Sequence, residues 1–579
     1  MTVQIPASLL KHSATKRVQN LLAVVLLMIT ASMVFSRQAS EADVLLLNAN
    51  IITMNEKQPR AQAIAIKGNR IAWVGSNAEA KKLFRQPARS INLNGATVLP
   101  GIIDGHVHLL SLGESFLKLN LKDAATPEQV VEIVKQKAAS AAPGEWILGW
   151  GWDEGKWAAH YPTHQALSAA APNNPVWLTG LHSFASWGNA KAMEVAGITR
   201  ETKDPENGKV IRDEQGEATG IFTNRAQNLV ASHLPPLTPA QVKKAIELAA
   251  EECVRHGLTS VADANVTPAM LQAFRELIAE GKMPLRIYVM LDGTNKALVE
   301  EWLKRGPEID NAHHRLTVRG FKLFADGALG SRGAAMFEPY SDQPSTKGVM
   351  TLHEFDIYNF TRHALQRGFQ VSTHAIGDAG NRATLDAYEK AMKETPQAKD
   401  PRLRIEHAQV MSLDDIPRFA KLHVIASMQP THCTSDMIWA EKRVGPVRIK
   451  GAYAWRAVLK TGAHLTLNTD FPGETLDPFY TIYAAITRQD PEGNPPGGWY
   501  PEQRLTLDEA LRGYFREAAY AEFEEAVKGS LEKGKLADLI VISQDITKVQ
   551  PKELLATRVL KVFIDGKLVY ETSQAGQAK

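Results

Sequence analysis

Eight apolar, strand-like runs separated by helical stretches follow one another through the middle of this chain. That count restricts the fold more than any other feature. In order they are "GIIDGHVH", "GLTSVADAN", "LRIYVMLD", "GFKLFADG", "FQVSTHAIGD", "LRIEHAQV", "HVIASMQP" and "HLTLNTDFP". Strand-like runs alternating with helices are the rhythm of a parallel sheet built from βαβ units, and eight of them are what a (β/α)8 barrel needs. The first two are far apart, with Leu109 to His256 between them. This insertion carries its own strand-like and turn-like pieces, including "EWILGWGWDEGKW" and "PVWLTGLHSFASWG", and reads as a cap beside the barrel mouth.

Both chain ends carry a second pattern. "ADVLLLNANIITM" and "AQAIAIKGNRIAWVGS" read as short strands, the latter turning at Gly68-Asn69. Near the other end "LADLIVIS" precedes "VLKVFIDGKLVYE", which turns at Asp565-Gly566. The expected fold class is therefore α/β: a TIM-type barrel over 99–526, an insertion over 109–256, and a small β-sandwich built from 43–98 and 527–575.

The chain has 579 residues and a formal charge of +3. Lys11, Lys16 and Arg17 account for that excess, so nothing points to a nucleic-acid partner. The same residues precede the apolar run Leu21 to Phe35 and then small and polar residues. That is the layout of an export signal over 1–36, which implies a periplasmic or secreted protein, or a membrane-anchored one if the segment stays uncleaved. Cys253 and Cys433 are too few and too far apart for a disulfide scaffold.

The strand ends carry the chemistry. His106 and His108, separated by one valine, lie on one side of the first strand. With 17 histidines in the chain, about 0.5 such pairs arise by chance, so the pair matters only with further ligands. Lys322 lies in the fourth strand run, His374 ends the fifth, His407 ends the sixth and Asp470 the eighth. Strand C-termini of such barrels converge on the active site, which brings these six side chains to one pocket. Taken singly, His374 or His407 would read as a core histidine. Lys322 could instead pair with Asp326 or another nearby carboxylate, and Asp470 could cap a helix. His432 in "QPTH" could touch substrate or a metal-bound oxygen, or lie on a surface loop. Arg332 could clamp an anion or form a salt bridge within its loop. Trp146, Trp150, Trp152 and Trp157 suit either a cap core or a ligand stack.

The stretches "LPGIIDGHVH", "FKLFADGALGSR", "STHAIGDAGN", "RIEHAQV", "MQPTHCTSD", "GAYAWRAVL", "NTDFP", "LTLDEAL" and "GSLEKGKLADLIV" span Leu99 to Val541. In them the chain resembles the amidohydrolase superfamily and, within it, amidohydrolase family 3, the branch that includes N-substituted formamide deformylase. The resemblance implies that His106, His108 and Asp470 hold one metal and that His374 and His407 hold a second. Lys322, carboxylated on its amine, would bridge them, and zinc suits such ligands. It further implies hydrolysis of a non-peptide, amide-type C–N bond by a metal-activated hydroxide, with Asp470 as general base and acid. A small-molecule substrate is the implied partner; oligomerisation stays open.

Two other readings stand beside this one. The same site could hydrolyse lactones or phosphoesters, or the chain could be a non-catalytic, membrane-tethered binding protein. The family pattern also has departures. His182 in "LHSFASWGNA" is displaced from the usual "GHA", Asn224 stands where a glutamate is common, and Asn468 stands where a glycine is usual. The positions of His182 and Asn224 belong to the substrate side, where His182, His432 and Arg332 are the candidate substrate-binding residues.

Overall fold

The structure, a computed structural model, describes residues 41–153, 157, 161–180, 185–206 and 208–572. The export-signal segment and His182 lie outside these residues. At the centre is one eight-stranded parallel sheet. Its strands are β1 (Ile102–Val107), β2 (Leu258–Val266), β3 (Arg286–Asp292), β4 (Leu316–Phe324), β5 (Gln370–Ala375), β6 (Arg404–His407), β7 (Ile425–Met428) and β8 (Leu465–Leu467). Each of the eight sequence runs coincides with one of them, so the barrel expectation holds. The strands lie in chain order around the barrel, and each pairs in parallel with the next.

The seam is where sequence and structure differ. β8 is only three residues long, and the sheet hydrogen bonds stop before it meets β1. Beyond Leu467 the backbone closes the gap: His108 N–H donates to the Phe471 carbonyl and Asp470 N–H donates to the His106 carbonyl, both at 3.0 Å. Thr469 Oγ1 donates to the buried Asp104 carboxylate at 2.7 Å. Closure of the barrel thus places Asp470 against the end of β1.

Strands from both chain ends form the sandwich. One sheet takes Val44–Leu47, Ala63–Lys67, Arg70–Gly75 and Arg89–Asn92. The other joins Asn50–Ile52, Arg60–Ala61 and Thr97–Pro100 to Leu539–Ile542, Val559–Ile564 and Lys567–Glu571. Their inner faces share one core that includes Leu46, Ile64, Val98, Leu539 and Phe563. Thr97–Pro100 then runs straight into β1, which fixes the barrel to the sandwich.

The insertion holds a six-stranded sheet reaching from Leu119 to Asn224, with an apolar core on each face. Trp152 and Trp157 stack at 5.2 Å in one core, and Trp146 packs against the other. Trp150 faces Lys122 at 4.3 Å. The helices at either end of the insertion, Leu109–Leu117 and Pro239–Arg255, belong to the barrel wall. Pro239–Arg255 starts with a capping box between Thr238 and Gln241 and buries Val242, Ile246, Ala249 and Cys253 in the barrel core. A Cβ on Gly113 would lie 1.9 Å from the Ala245 carbonyl oxygen, so the two helices can approach this closely only with glycine there.

A buried ion-pair cluster joins barrel to sandwich. The Arg286 guanidinium, 1% exposed, donates to Asp538 at 2.6 and 2.9 Å and to Asp565 at 2.5 Å. Removing one partner of such a cluster strands the others without water. Arg286→Met is therefore expected to lower stability by about 3–5 kcal/mol, read as a lower denaturation midpoint in urea; an unchanged midpoint would show that the cluster does not tie the units together.

Candidate metal centre

His106, His108 and Asp470 meet at the seam, with Asp470 Oδ1 3.2 Å from His108 Nε2 and 3.7 Å from His106 Nε2. The other carboxylate oxygen lies 3.6 Å from His432 Nε2 and 3.9 Å from His407 Nδ1. Both groupings, His106–His108–Asp470 and His407–His432–Asp470, are compact enough to hold a metal ion. The His374 ring lies 4.6 Å from the His407 ring, and the His407 ring lies 5.4 Å from that of His106. Lys322 Nζ reaches His106 Nε2 at 3.0 Å. Six expected ligands therefore surround one space, and His432 joins them there.

The partners of the imidazoles decide which nitrogen each can offer. His106 Nδ1 lies 2.5 Å from the Glu406 carboxylate, and His108 Nδ1 lies 3.2 Å from the Ala264 carbonyl. His374 Nε2 lies 3.3 Å from the Gly327 carbonyl, and His407 Nδ1 lies 2.9 Å from Gln429 Oε1. Each partner is an oxygen acceptor, so each ring donates there and keeps a lone pair on its other nitrogen. The amine of Lys322, a donor when charged, confirms this for His106 by facing Nε2. Outer-shell acceptors of this kind orient imidazoles for a cation. Four imidazole lone pairs beside a carboxylate make a donor set that fits a divalent metal.

The electrostatics agree. Burial, followed by the nearby Lys322 charge, pushes His106 down to about 4 and His374 to about 3. Burial and the His374 ring hold His407 well below its ordinary value. All three are thus neutral imidazoles at pH 7. Burial opposes ionisation of Asp470, but His106, His108, His407 and His432 together hold it well below the usual carboxylate range. Lys322 is 1% exposed, and burial lowers its amine to about 8 against the pull of Glu406 and Asp470.

Other expectations resolve differently. Lys322 is not paired with Asp326, whose carboxylate accepts from the backbone N–H of Ala335, Ile376 and Gly377 at 2.8–2.9 Å. Asp470 caps no helix: it follows β8 by three residues, in a left-handed conformation (φ 56°). Of the two readings of Arg332, the structure takes the salt bridge. Its guanidinium donates to Asp342 at 3.1 and 2.8 Å through Nε and Nη2, so that edge is held within the loop.

Three functional candidates escaped the sequence reading. Glu406 and Arg404, both wholly buried, pair at 2.8 Å beneath the site, and Gln429 orients His407. A period of two along β6 puts Arg404 and Glu406 on one face, which was the available signal.

A parallel barrel with imidazoles, a carboxylate and a lysine at its strand ends defines a metal-dependent hydrolase. The chain belongs to the amidohydrolase family, whose model matches residues 89–570. It is similar to the Arabidopsis thaliana protein LONG AFTER FAR-RED 3, with 32% identity over 541 residues, covering 91% of this chain and 92% of that one. It is also similar to N-substituted formamide deformylase of Arthrobacter pascens, with 28% identity over 548 residues, covering 91% and 98%. Among solved structures, it resembles an uncharacterized metal-dependent hydrolase from Pyrococcus furiosus at a TM-score of 0.72 and 30% identity, covering 87% of this chain and 99% of that one.

Glu406 accepts from His106 on one oxygen while its other oxygen faces Arg404. A glutamine can accept on one side only and must set its NH2 against a donor on the other. Glu406→Gln is expected to weaken metal binding about 10- to 100-fold, measured by chelator competition on metal-stripped protein; wild-type affinity would remove Glu406 from the support of His106.

Proposed function

We propose that this chain is an exported, metal-dependent hydrolase that cleaves an amide-type carbon–nitrogen bond in a small molecule. The observation that carries the reading is the set of four imidazoles, each with one nitrogen tied to an acceptor, with the free nitrogens of His106 and His108 3.7 and 3.2 Å from Asp470. Likeness to a formamide deformylase supports the choice of bond. Support for export comes from the charged and then apolar N-terminal segment alone.

His106, His108 and Asp470 would hold one ion, and His374 and His407 a second. Lys322 would join them as its carbamate, because a bare ammonium cannot ligate a cation. Zinc fits imidazole and carboxylate ligands best. When bound, it would supply Lewis acidity toward a carbonyl and lower the pKa of a water from 15.7 to about 7. The protein's own groups do the rest. Asp470 is ionised at neutral pH and takes the proton of the attacking water on a carboxylate oxygen. It then delivers that proton to the departing nitrogen, which leaves poorly as an anion. His432, whose Nε2 lies 3.6 Å from Asp470 Oδ2, would contact the carbonyl oxygen of the substrate.

Only the neutral amine of Lys322 can add CO2 and release a proton. With its pKa near 8, about one-tenth of the amine is neutral at pH 7. At a fixed concentration of dissolved CO2, reconstitution of metal-stripped protein should therefore speed up about tenfold per pH unit below 8 and level off above it. Elemental analysis should find about two metals per chain, falling to one or fewer in Lys322→Ala. One metal in both, or a flat pH profile, would leave Lys322 a structural residue.

The bond is tested with a panel of N-substituted formamides, other small amides, lactones and phosphotriesters. Amide turnover is expected, with kcat falling about 10²- to 10⁴-fold in Asp470→Asn. Turnover of lactones or phosphotriesters alone would overturn the C–N assignment.

A further inference from the structure

Three of the four imidazoles are held by groups that only accept hydrogen bonds: the Glu406 carboxylate and the carbonyls of Ala264 and Gly327. Chemistry alone fixes their tautomers. His407 differs, because its Nδ1 faces the side-chain amide of Gln429, which can present either its oxygen or its NH2. In the first orientation Gln429 accepts from Nδ1 and leaves a lone pair on Nε2. In the second it donates to Nδ1, and the ring proton moves to Nε2, where it would oppose a cation.

Two acceptors hold Gln429 in the first orientation. Its Nε2 donates to Asn468 Oδ1 at 2.7 Å and to the Ser427 carbonyl at 3.3 Å. Asn468 supplies the shorter and stronger of these bonds. Its own amide is turned by Ser427, whose Oγ accepts from Asn468 Nδ2 at 3.0 Å and from Arg404 Nη2 at 3.2 Å. From Arg404 the contacts continue through Glu406 to His106. Asn468, Gln429, Ser427 and Arg404 are all at most 3% exposed, so bulk water cannot stand in for a lost partner.

We infer that Asn468 is a positioning residue that sets the tautomer of His407 through Gln429, and with it the ability of His407 to bind a metal. The inference rests on the metal-binding reading above. It links the two histidine sets through the barrel interior, so that the second metal position depends on a side chain that touches neither metal nor substrate.

The test measures zinc affinity of metal-stripped protein by chelator competition, together with the protonation of labelled imidazole nitrogens by NMR. Asn468→Leu removes the acceptor and should weaken one of two zinc ions about 10- to 100-fold, with His407 protonated on Nε2 in the metal-free state. Asn468→Asp keeps an acceptor opposite Gln429 and should bind nearly as the wild type does. Gln429→Glu offers His407 an oxygen whatever residue stands at 468, so adding Asn468→Leu to it should cost no further affinity. If Asn468→Leu does not fold, Asn468→Ala replaces it in both backgrounds. Wild-type affinity in the single variant overturns the inference, as does an equal loss in the Gln429→Glu background, which would mark a general packing defect. A wild-type chain that takes up no zinc overturns the metal reading itself, an outcome distinct from either.

Discussion

The contact on which the centre depends is the seam between the first and last barrel strands. β8 has only three residues in the sheet, too few to carry its own C-terminal end into place. The segment after it is fixed by two backbone hydrogen bonds to the end of β1 and by the grip of Asp104 on Thr469. Asp470 reaches His106 and His108 as a result of that closure. In a parallel barrel every strand end points to the same face. Closing the seam therefore brings Asp470 together with His106 and His108, which lie more than three hundred residues from it in the chain.

Beneath the ligands, the barrel interior holds charge where it would ordinarily hold packed apolar side chains. Arg404 and Glu406 are both wholly buried, which is costly unless each is matched. The match has a direction. Arg404 donates to the Gly105 carbonyl and to Ser427, while the Glu406 carboxylate is bonded to His106 through one oxygen and ion-paired with Arg404 at 2.8 Å through the other. Burial raises the cost of ionising Glu406, yet Arg404, His106 and Lys322 hold it well below the usual carboxylate range. The negative charge so retained favours a cation above it. At the other boundary of the barrel, Arg286 does similar work for architecture, tying β3 to two aspartates of the sandwich.

Much of this was legible in the sequence for a physical reason. Barrel strands are buried along their length, so they appear as short apolar runs, and a titratable residue at the end of such a run stands out. Lys322, His374, His407 and Asp470 are conspicuous in that way. What could not be read were pairings made in three dimensions. Arg332 meets Asp342 through the path of its loop, and nothing in "GALGSRGA" reveals it. Gln429 and Asn468 are neutral amides whose roles depend on which neighbour each faces. The insertion was visible as a separate unit, but its end helices join the barrel wall because their apolar faces pack there and not on the inserted sheet.

Glu406 and His407 show where a strand rule must break for a site to form. They are adjacent in β6, so a period of two would send them to opposite faces. Yet the Glu406 carboxylate is hydrogen-bonded to His106, and the His407 ring lies 5.4 Å from the same imidazole. The backbone resolves the conflict at His407, which takes a left-handed conformation at φ 74°. Such a conformation costs a non-glycine residue on the order of 1–3 kcal/mol. Asp470 makes a similar turn at φ 56°, a smaller burden for an aspartate. His407 turns at the last residue of β6 and Asp470 three residues beyond β8. The barrel supplies the direction of approach, and one left-handed residue at or after the strand end sets where the side chain points.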